Sequence, residues 1–124
     1  MPRHLIERGF GQIINISSVN ALKGQFGQTN YSAAKAGLLG FTKALAQEVV
    51  KKGITVNSVA PGYVETEMVM AIKPEVREQI LSQIPIGRLG KPEEIGRLVA
   101  YLASDYGEYI TGANISINGG QYMF

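Results

Sequence analysis

Cysteine is absent from this chain of 124 residues, and histidine occurs once, as His4. The first absence excludes a disulfide frame and any thiolate metal site. The second leaves no histidine cluster, so no metal is expected and His4 is expected to be an ordinary surface residue. Charge of one sign is scarce as well. A net charge of +2, with Lys and Arg scattered rather than interleaved with aromatics in a basic stripe, does not announce a nucleic-acid partner. No apolar run approaches the roughly 20 residues that cross a bilayer, so no membrane partner is expected. The opening "MPRHLIERGFGQ" carries charges where a secretory signal needs an apolar core. A cytoplasmic protein is the default expectation.

What is present reads as an ordinary globular domain, with 45% hydrophobic and 18% charged residues. Glycine is in excess, with 15 residues against a usual share of about 7%. Many of these glycines fall between periodic segments, where they act as turns and caps. "PRHLIERG" reads as the end of a helix stopped by Gly9, and "GFG" (Gly9–Gly11) as a turn. "QIINIS" (Gln12–Ser17) and "ITVNSVA" (Ile54–Ala60) are β-branched runs, expected as strands buried on both faces. The polar, glycine-bearing "SVNALKGQFGQT" that follows the first of them is expected as a loop.

A long helix is expected from about Asn30 to Lys52, stopped by Gly53. Proline at the first turn marks two more helices, Pro74–Ile84 and one opening at Pro92, with an irregular stretch before Lys73. "GANISING" (Gly112–Gly119) supplies a last strand. Strand, helix, strand, helices, strand is the rhythm of a parallel sheet with helical crossovers, an α/β Rossmann-like three-layer sandwich. Ligands of such sheets bind beyond the carboxyl ends of the strands. The Ser17–Gln28 loop and the Pro61–Lys73 segment are expected there.

The long helix carries two patterns. Tyr31, Lys35, Leu38, Leu39, Thr42, Leu45 and Val49 mix one polar pair into an apolar stripe. Ala33, Gly37, Gly40 and Ala44 form a small-residue face. Glycine inside a helix costs about 1 kcal/mol relative to alanine, so something must repay it. Close approach of a neighbouring subunit is expected, with packing inside the chain as the alternative.

"YSAAK" (Tyr31–Lys35) places a phenol and an ammonium one helical turn apart on a common face. Alone, Y-x-x-x-K describes many helix surfaces. Here Ser18 precedes Tyr31 by thirteen residues at the end of a strand, and Pro61 and Gly62 turn the chain at the end of the next. "NISSVNALKGQFGQTNYSAAKAG", "VNSVAPGYVET" and "TGANISINGG" together resemble the carboxyl-terminal half of a short-chain dehydrogenase/reductase. Within that family, "SSVN" and "KGQFGQTNY" resemble most closely the bacterial acetoacetyl-CoA reductases. The 3-oxoacyl-[acyl-carrier-protein] reductases share most of the frame.

The resemblance implies NAD(P)H-dependent reduction of a 3-oxoacyl thioester, with a CoA or carrier-protein thioester as substrate, NADP ahead of NAD as coenzyme, and a homotetramer. It implies Tyr31 as proton donor, Ser18 as the group steadying the substrate oxygen, and Lys35 as a ligand of the nicotinamide ribose. Ser17 is the runner-up to Ser18. A free phenol titrates near 10, and a neighbouring cation favours its ionised form, so Lys35 is expected to make Tyr31 more acidic.

Pro61, Gly62, Val64 and Thr66 match positions flanking the nicotinamide, with a loop residue or helix cap as the lesser alternative for Thr66. Gln25, Phe26, Gln28 and Tyr63 match positions around the acyl group and its thioester arm, although loop polarity explains the glutamines nearly as well. Asn15 and Asn57 are expected to be structural. The family's glycine-rich dinucleotide turn has no counterpart here, since "GFG" precedes a strand and lacks the third glycine. The chain is therefore expected to be the carboxyl-terminal part of one such domain, with an unpaired, hydrophobic edge on the Gln12–Ser17 strand. A non-catalytic Rossmann-like binding or assembly module is the rival from another class.

Overall fold

The computed structural model of the protein describes residues 2–123. Three strands, β1 (Gly11–Ile16), β2 (Ile54–Pro61) and β3 (Asn114–Ile117), form one sheet in the order β1-β2-β3. Both pairings are parallel, with Gly11 opposite Ile54, Ile16 opposite Val59, and Ser58 opposite Asn114. Parallel neighbours need long crossovers, which here are helical. The carboxyl ends of all three strands consequently share one rim of the sheet. The fold is α/β and Rossmann-like.

Among the described residues, six α-helices accompany the sheet: α1 (Arg3–Arg8), α2 (Val19–Lys23), α3 (Thr29–Val49), α4 (Glu67–Met70), α5 (Pro74–Ser82) and α6 (Pro92–Ala103). Gly9, with φ of +77°, ends α1, as its position in the sequence suggests. "GFG" is divided between that cap and the first residue of β1. The α3 helix runs into a 3₁₀ turn at Val50–Lys52 and stops at Gly53 in the left-handed conformation. Prolines open α5 and α6, where a missing N–H costs nothing.

The core lies between α3 and β2. Leu45, Ala46 and Val49 meet Ile54 and Val56, with Leu5, Ile6 and Ile13 packed around them. Each large apolar side chain so buried contributes about 1.5–3 kcal/mol. Asn15 donates to the Thr42 hydroxyl at 3.0 Å, tying β1 to α3. The buried Asn57 donates to the Ile110 carbonyl at 2.9 Å and accepts from the Ala113 N–H at 3.1 Å. Both asparagines are structural, as expected.

Several expectations need correction. β1 is not buried on both faces: Gln12 and Ile16 are exposed, because β1 is an edge strand whose outer side has no neighbour among the described residues. The segment after Ser18 is not all loop, since the Ser18 cap starts the five-residue α2. The irregular stretch before Lys73 contains α4, capped by Thr66. Ile84 lies beyond the end of α5, buried in the following turn. The small-residue face of α3 does not pack within the chain. Ala33, Gly37, Gly40 and Ala44 are all exposed, and a Cβ added at Gly37 or Gly40 would meet nothing within 4 Å.

Candidate active site

The start of α3 is pinned to the carboxyl end of β1 by two reciprocal bonds. The Ser17 hydroxyl donates to the Lys35 backbone carbonyl at 2.9 Å. The Lys35 ammonium donates to the Ile16 carbonyl at 3.0 Å. Ser17 also continues the sheet ladder by one step, its N–H reaching the Val59 carbonyl at 2.7 Å. The helix, the edge strand and the central strand therefore meet at one corner. Ser17 is consumed by this architecture.

Ser18 stands differently. Its backbone is extended, and its hydroxyl oxygen caps α2 by accepting from the Asn20 N–H at 3.2 Å. A hydroxyl whose oxygen is held by a donor keeps its own proton for another acceptor. Lys35 Nζ lies 5.8 Å from the centre of the Tyr31 ring, at the outer reach of a cation–π contact. Tyr31 is 44% exposed, so its phenol is open to a ligand. The ammonium thus sits between a strand-end carbonyl and the phenol ring.

Around this corner, Gln28 immediately precedes α3, and its Oε1 accepts from the Asn20 side chain at 2.9 Å. Gln28 and Tyr31 line the same shallow depression, together with Gly27, Thr29 and Asn30. Gln25 accepts from the Lys23 ammonium at 3.3 Å. Phe26 is fully exposed on its loop. Tyr63 is not part of that depression: it lines a separate pocket with Ile84, Ile86, Arg88 and Asn118. The structure brings Gln28 to Tyr31, and leaves Tyr63 on a different wall.

At the end of β2, Pro61 closes the strand and the Gly62 N–H reaches the Ile117 carbonyl at 3.0 Å. A Cβ on Gly62 would lie 2.8 Å from the Asn118 Cβ, so only glycine lets this turn approach the end of β3. Val64 bridges Gly90. Thr66 caps α4 by accepting from the Val69 N–H at 3.2 Å. The helix-cap alternative for Thr66 is therefore realised, although its hydroxyl proton stays available.

Sequence reasoning did not single out Asn20. It is buried beside Ser18 and joined to both Ser18 and Gln28. Its only trace in the sequence is a polar residue two places after a strand-end serine. Among the described residues no group of three or more His, Asp or Glu side chains could hold a metal. No helix among them is long and apolar enough to cross a membrane.

A family model described as enoyl-(acyl carrier protein) reductase matches residues 1–121. The chain belongs to the short-chain dehydrogenase/reductase family. An acetoacetyl-CoA reductase of Rhizobium meliloti is 64% identical over 118 residues, covering 94% of this chain and 49% of that protein. Nodulation protein G of Azospirillum brasilense is 61% identical over 116 residues, covering 94% and 47%. A 3-oxoacyl-[acyl-carrier-protein] reductase of Pseudomonas aeruginosa is 54% identical over 121 residues, covering 98% and 50%. The chain spans about half the length of these curated relatives. Its fold and the corner where β1, α2 and α3 meet are thus those of a family member, seen over that half.

Proposed function

We propose that the protein reduces a 3-oxoacyl thioester with a nicotinamide coenzyme, converting acetoacetyl-CoA to 3-hydroxybutyryl-CoA. The observation that carries this reading is the pair of bonds that join Lys35 to Ser17 and to Ile16. It holds the Tyr31 face of α3 against the strand end from which Ser18 emerges.

Reduction of a ketone leaves negative charge growing on oxygen, which needs donors already in place and finally a proton. Ser18, with its proton free, hydrogen-bonds the 3-oxo oxygen. Tyr31 gives that oxygen its proton as the carbon becomes tetrahedral. The Lys35 Nζ lies 5.8 Å from the centre of the phenol ring, and the proton that Tyr31 gives up is replaced from solvent. The donor set fits the nicotinamide end of a coenzyme: Lys35 for the ribose, the tight Pro61–Gly62 turn and Val64 for the ring, and the Thr66 hydroxyl for the carboxamide. When bound, the coenzyme supplies the hydride. No residue of this chain is assigned to its pyrophosphate. Gln25, Phe26, Gln28 and Tyr63 are assigned to the acyl group and its thioester arm, Gln28 most directly because it shares a depression with Tyr31, and Tyr63 least directly because it lines a separate pocket. NADPH ahead of NADH, a homotetramer built on the small-residue face of α3, and a cytoplasmic setting complete the reading.

The test is turnover of acetoacetyl-CoA by the intact protein, followed by loss of nicotinamide absorbance with NADPH and with NADH. Tyr31→Phe is expected to lower kcat by at least about 100-fold, the scale of lost acid catalysis, while coenzyme still binds and its fluorescence still changes. Near-normal turnover by that variant would falsify the acid assignment. The relative from Pseudomonas aeruginosa supports a second reading, in which the thioester is carried by a protein rather than by CoA. Competition between the two thioesters separates them. A protein that binds neither nicotinamide coenzyme would be a non-catalytic module.

A further inference from the structure

We propose that Asn20 is a positioning residue that fixes which end of the Gln28 amide faces the ligand, and thereby selects a ligand with a carbonyl oxygen at that place. The identity of the ligand rests on the 3-oxoacyl thioester reading; the amide orientation does not.

Asn20 is 8% exposed, and its carboxamide is used unequally. Nδ2 donates to Gln28 Oε1 at 2.9 Å, whereas Oδ1 is buried without a partner among the described residues. A buried acceptor left unpaired is costly, and an apolar side chain of similar size would avoid the cost. The Asn20 carboxamide therefore tolerates an orphan oxygen for the sake of what its nitrogen does. What the nitrogen does is occupy one end of Gln28.

Gln28 is exposed and precedes a helix without capping it through its side chain. Left alone, its amide could rotate to show a ligand either its oxygen or its NH₂. With Oε1 taken by Asn20, Nε2 is the end left for a ligand, beside Tyr31 in the shared depression. The Asn20 backbone N–H acts in the same sense on Ser18. It occupies the hydroxyl oxygen and leaves the proton to be given away. Ser18, Gln28 and Tyr31 then all offer donors. A 3-oxoacyl thioester is the matching partner, since its two carbonyl groups are acceptors only. Ser18 and Tyr31 serve the 3-oxo oxygen, and Gln28 serves the second acceptor, on the thioester side.

Two variants of the intact protein, assayed with acetoacetyl-CoA, test this. Asn20→Leu removes the orphan oxygen and frees Gln28. Its melting temperature should stay the same or rise, its KM should rise about tenfold, and its kcat should stay within about threefold, as expected when binding rather than the chemical step is lost. Asn20→Asp can only accept, so Gln28 must turn its NH₂ inward and show its oxygen to the thioester. Its KM should rise further than that of Asn20→Leu. A fall in melting temperature of Asn20→Leu with an unchanged KM would mean a packing role and overturn the proposal. A substrate-free measurement accompanies these assays. Gln28→Ala should move the side-chain amide resonances of Asn20 in a ¹⁵N spectrum, and unmoved resonances overturn the proposal whatever the substrate. If those resonances move but the wild-type protein never turns over or binds acetoacetyl-CoA, the thioester reading has failed and the amide orientation stands.

Discussion

Ser17 and Lys35 hold one another across 18 residues of chain, a hydroxyl proton given to a helix carbonyl at 2.9 Å. Lys35 answers through its ammonium on the Ile16 carbonyl, one residue before Ser17. Ser17 and Ser18 are neighbours in sequence with unlike duties. Ser17→Ala should lower stability by about 0.5–1.5 kcal/mol, the net worth of one hydrogen bond, and reduce kcat only slightly. Ser18→Ala should lower kcat by about 100-fold or more, as when a donor to a developing oxyanion is removed. Denaturant titration and steady-state rates on both variants check this. Equal loss of kcat in both would assign the chemistry to the pair rather than to Ser18.

Arg88 and Glu94 give a pH-dependent signature away from this corner. Two guanidinium nitrogens meet the two carboxylate oxygens at 2.7 and 3.1 Å, and the Lys91 N–H adds a third bond at 2.9 Å. The Arg88 hydrogen bonds, and then the Lys91 N–H, hold the Glu94 carboxyl well below its usual range, to about 2. A depressed carboxylate stabilises the fold at pH values above its unfolded pKa, near 4.3. That contribution drains away as pH falls towards about 2. Glu94→Gln keeps an oxygen for Lys91 but removes the charge. Denaturation midpoints of wild type and variant should converge across this window as pH falls. Parallel curves would show that the pair does nothing for stability.

Two glycines in the left-handed region separate backbone strain from collision. At Gly53, φ is +79° and an added Cβ would lie 2.1 Å from the Gly9 carbonyl oxygen, a backbone atom that cannot step aside. At Gly112, φ is +73° but the nearest atom is the Ala46 Cβ at 3.6 Å. Gly112→Ala should cost about 1–3 kcal/mol from the φ alone. Gly53→Ala should cost clearly more, because α1 and β2 must part to admit the methyl group. Equal melting temperatures would refute the collision argument.

The open small-residue face of α3 predicts a variant that the isolated fold does not notice. Gly37→Leu adds a side chain where nothing lies within 4 Å and replaces a residue that costs a helix about 1 kcal/mol. Thermal stability measured at high dilution should hold or rise. If the proposed tetramer uses this face, sedimentation at working concentration should show it weakened or lost. Unchanged sedimentation would overturn the proposed tetramer contact on this face.

Much of this architecture was legible in the residues because its signals are local and strong. Gly9 and Gly53 sit where left-handed caps are required, Pro74 and Pro92 sit at first turns, and β-branched runs mark β1 and β2. The short helices were not legible. Five residues of α2 and four of α4 owe their existence to a single serine or threonine cap each, which a polar loop displays just as well. Burial of β1 was misread because an apolar run looks alike in a central strand and an edge strand; only the strand order tells them apart. Tyr31, Lys35 and Ser18 stand out through the family resemblance that their spacing helps to carry; the bonds that join Lys35 to Ile16 and Ser17 are visible only in the structure. Asn20 was not legible, since its importance lies in which two atoms of other residues it reaches.

One consequence concerns the outer side of β1. The carbonyl that anchors the Lys35 ammonium belongs to Ile16, the last residue of a strand paired on one side only among the described residues. Among the described residues, that carbonyl is positioned by pairing with β2 alone. A further strand laid along that edge would pair with the outer side of β1 and steady the carbonyl beneath the ammonium without touching the Tyr31 ring.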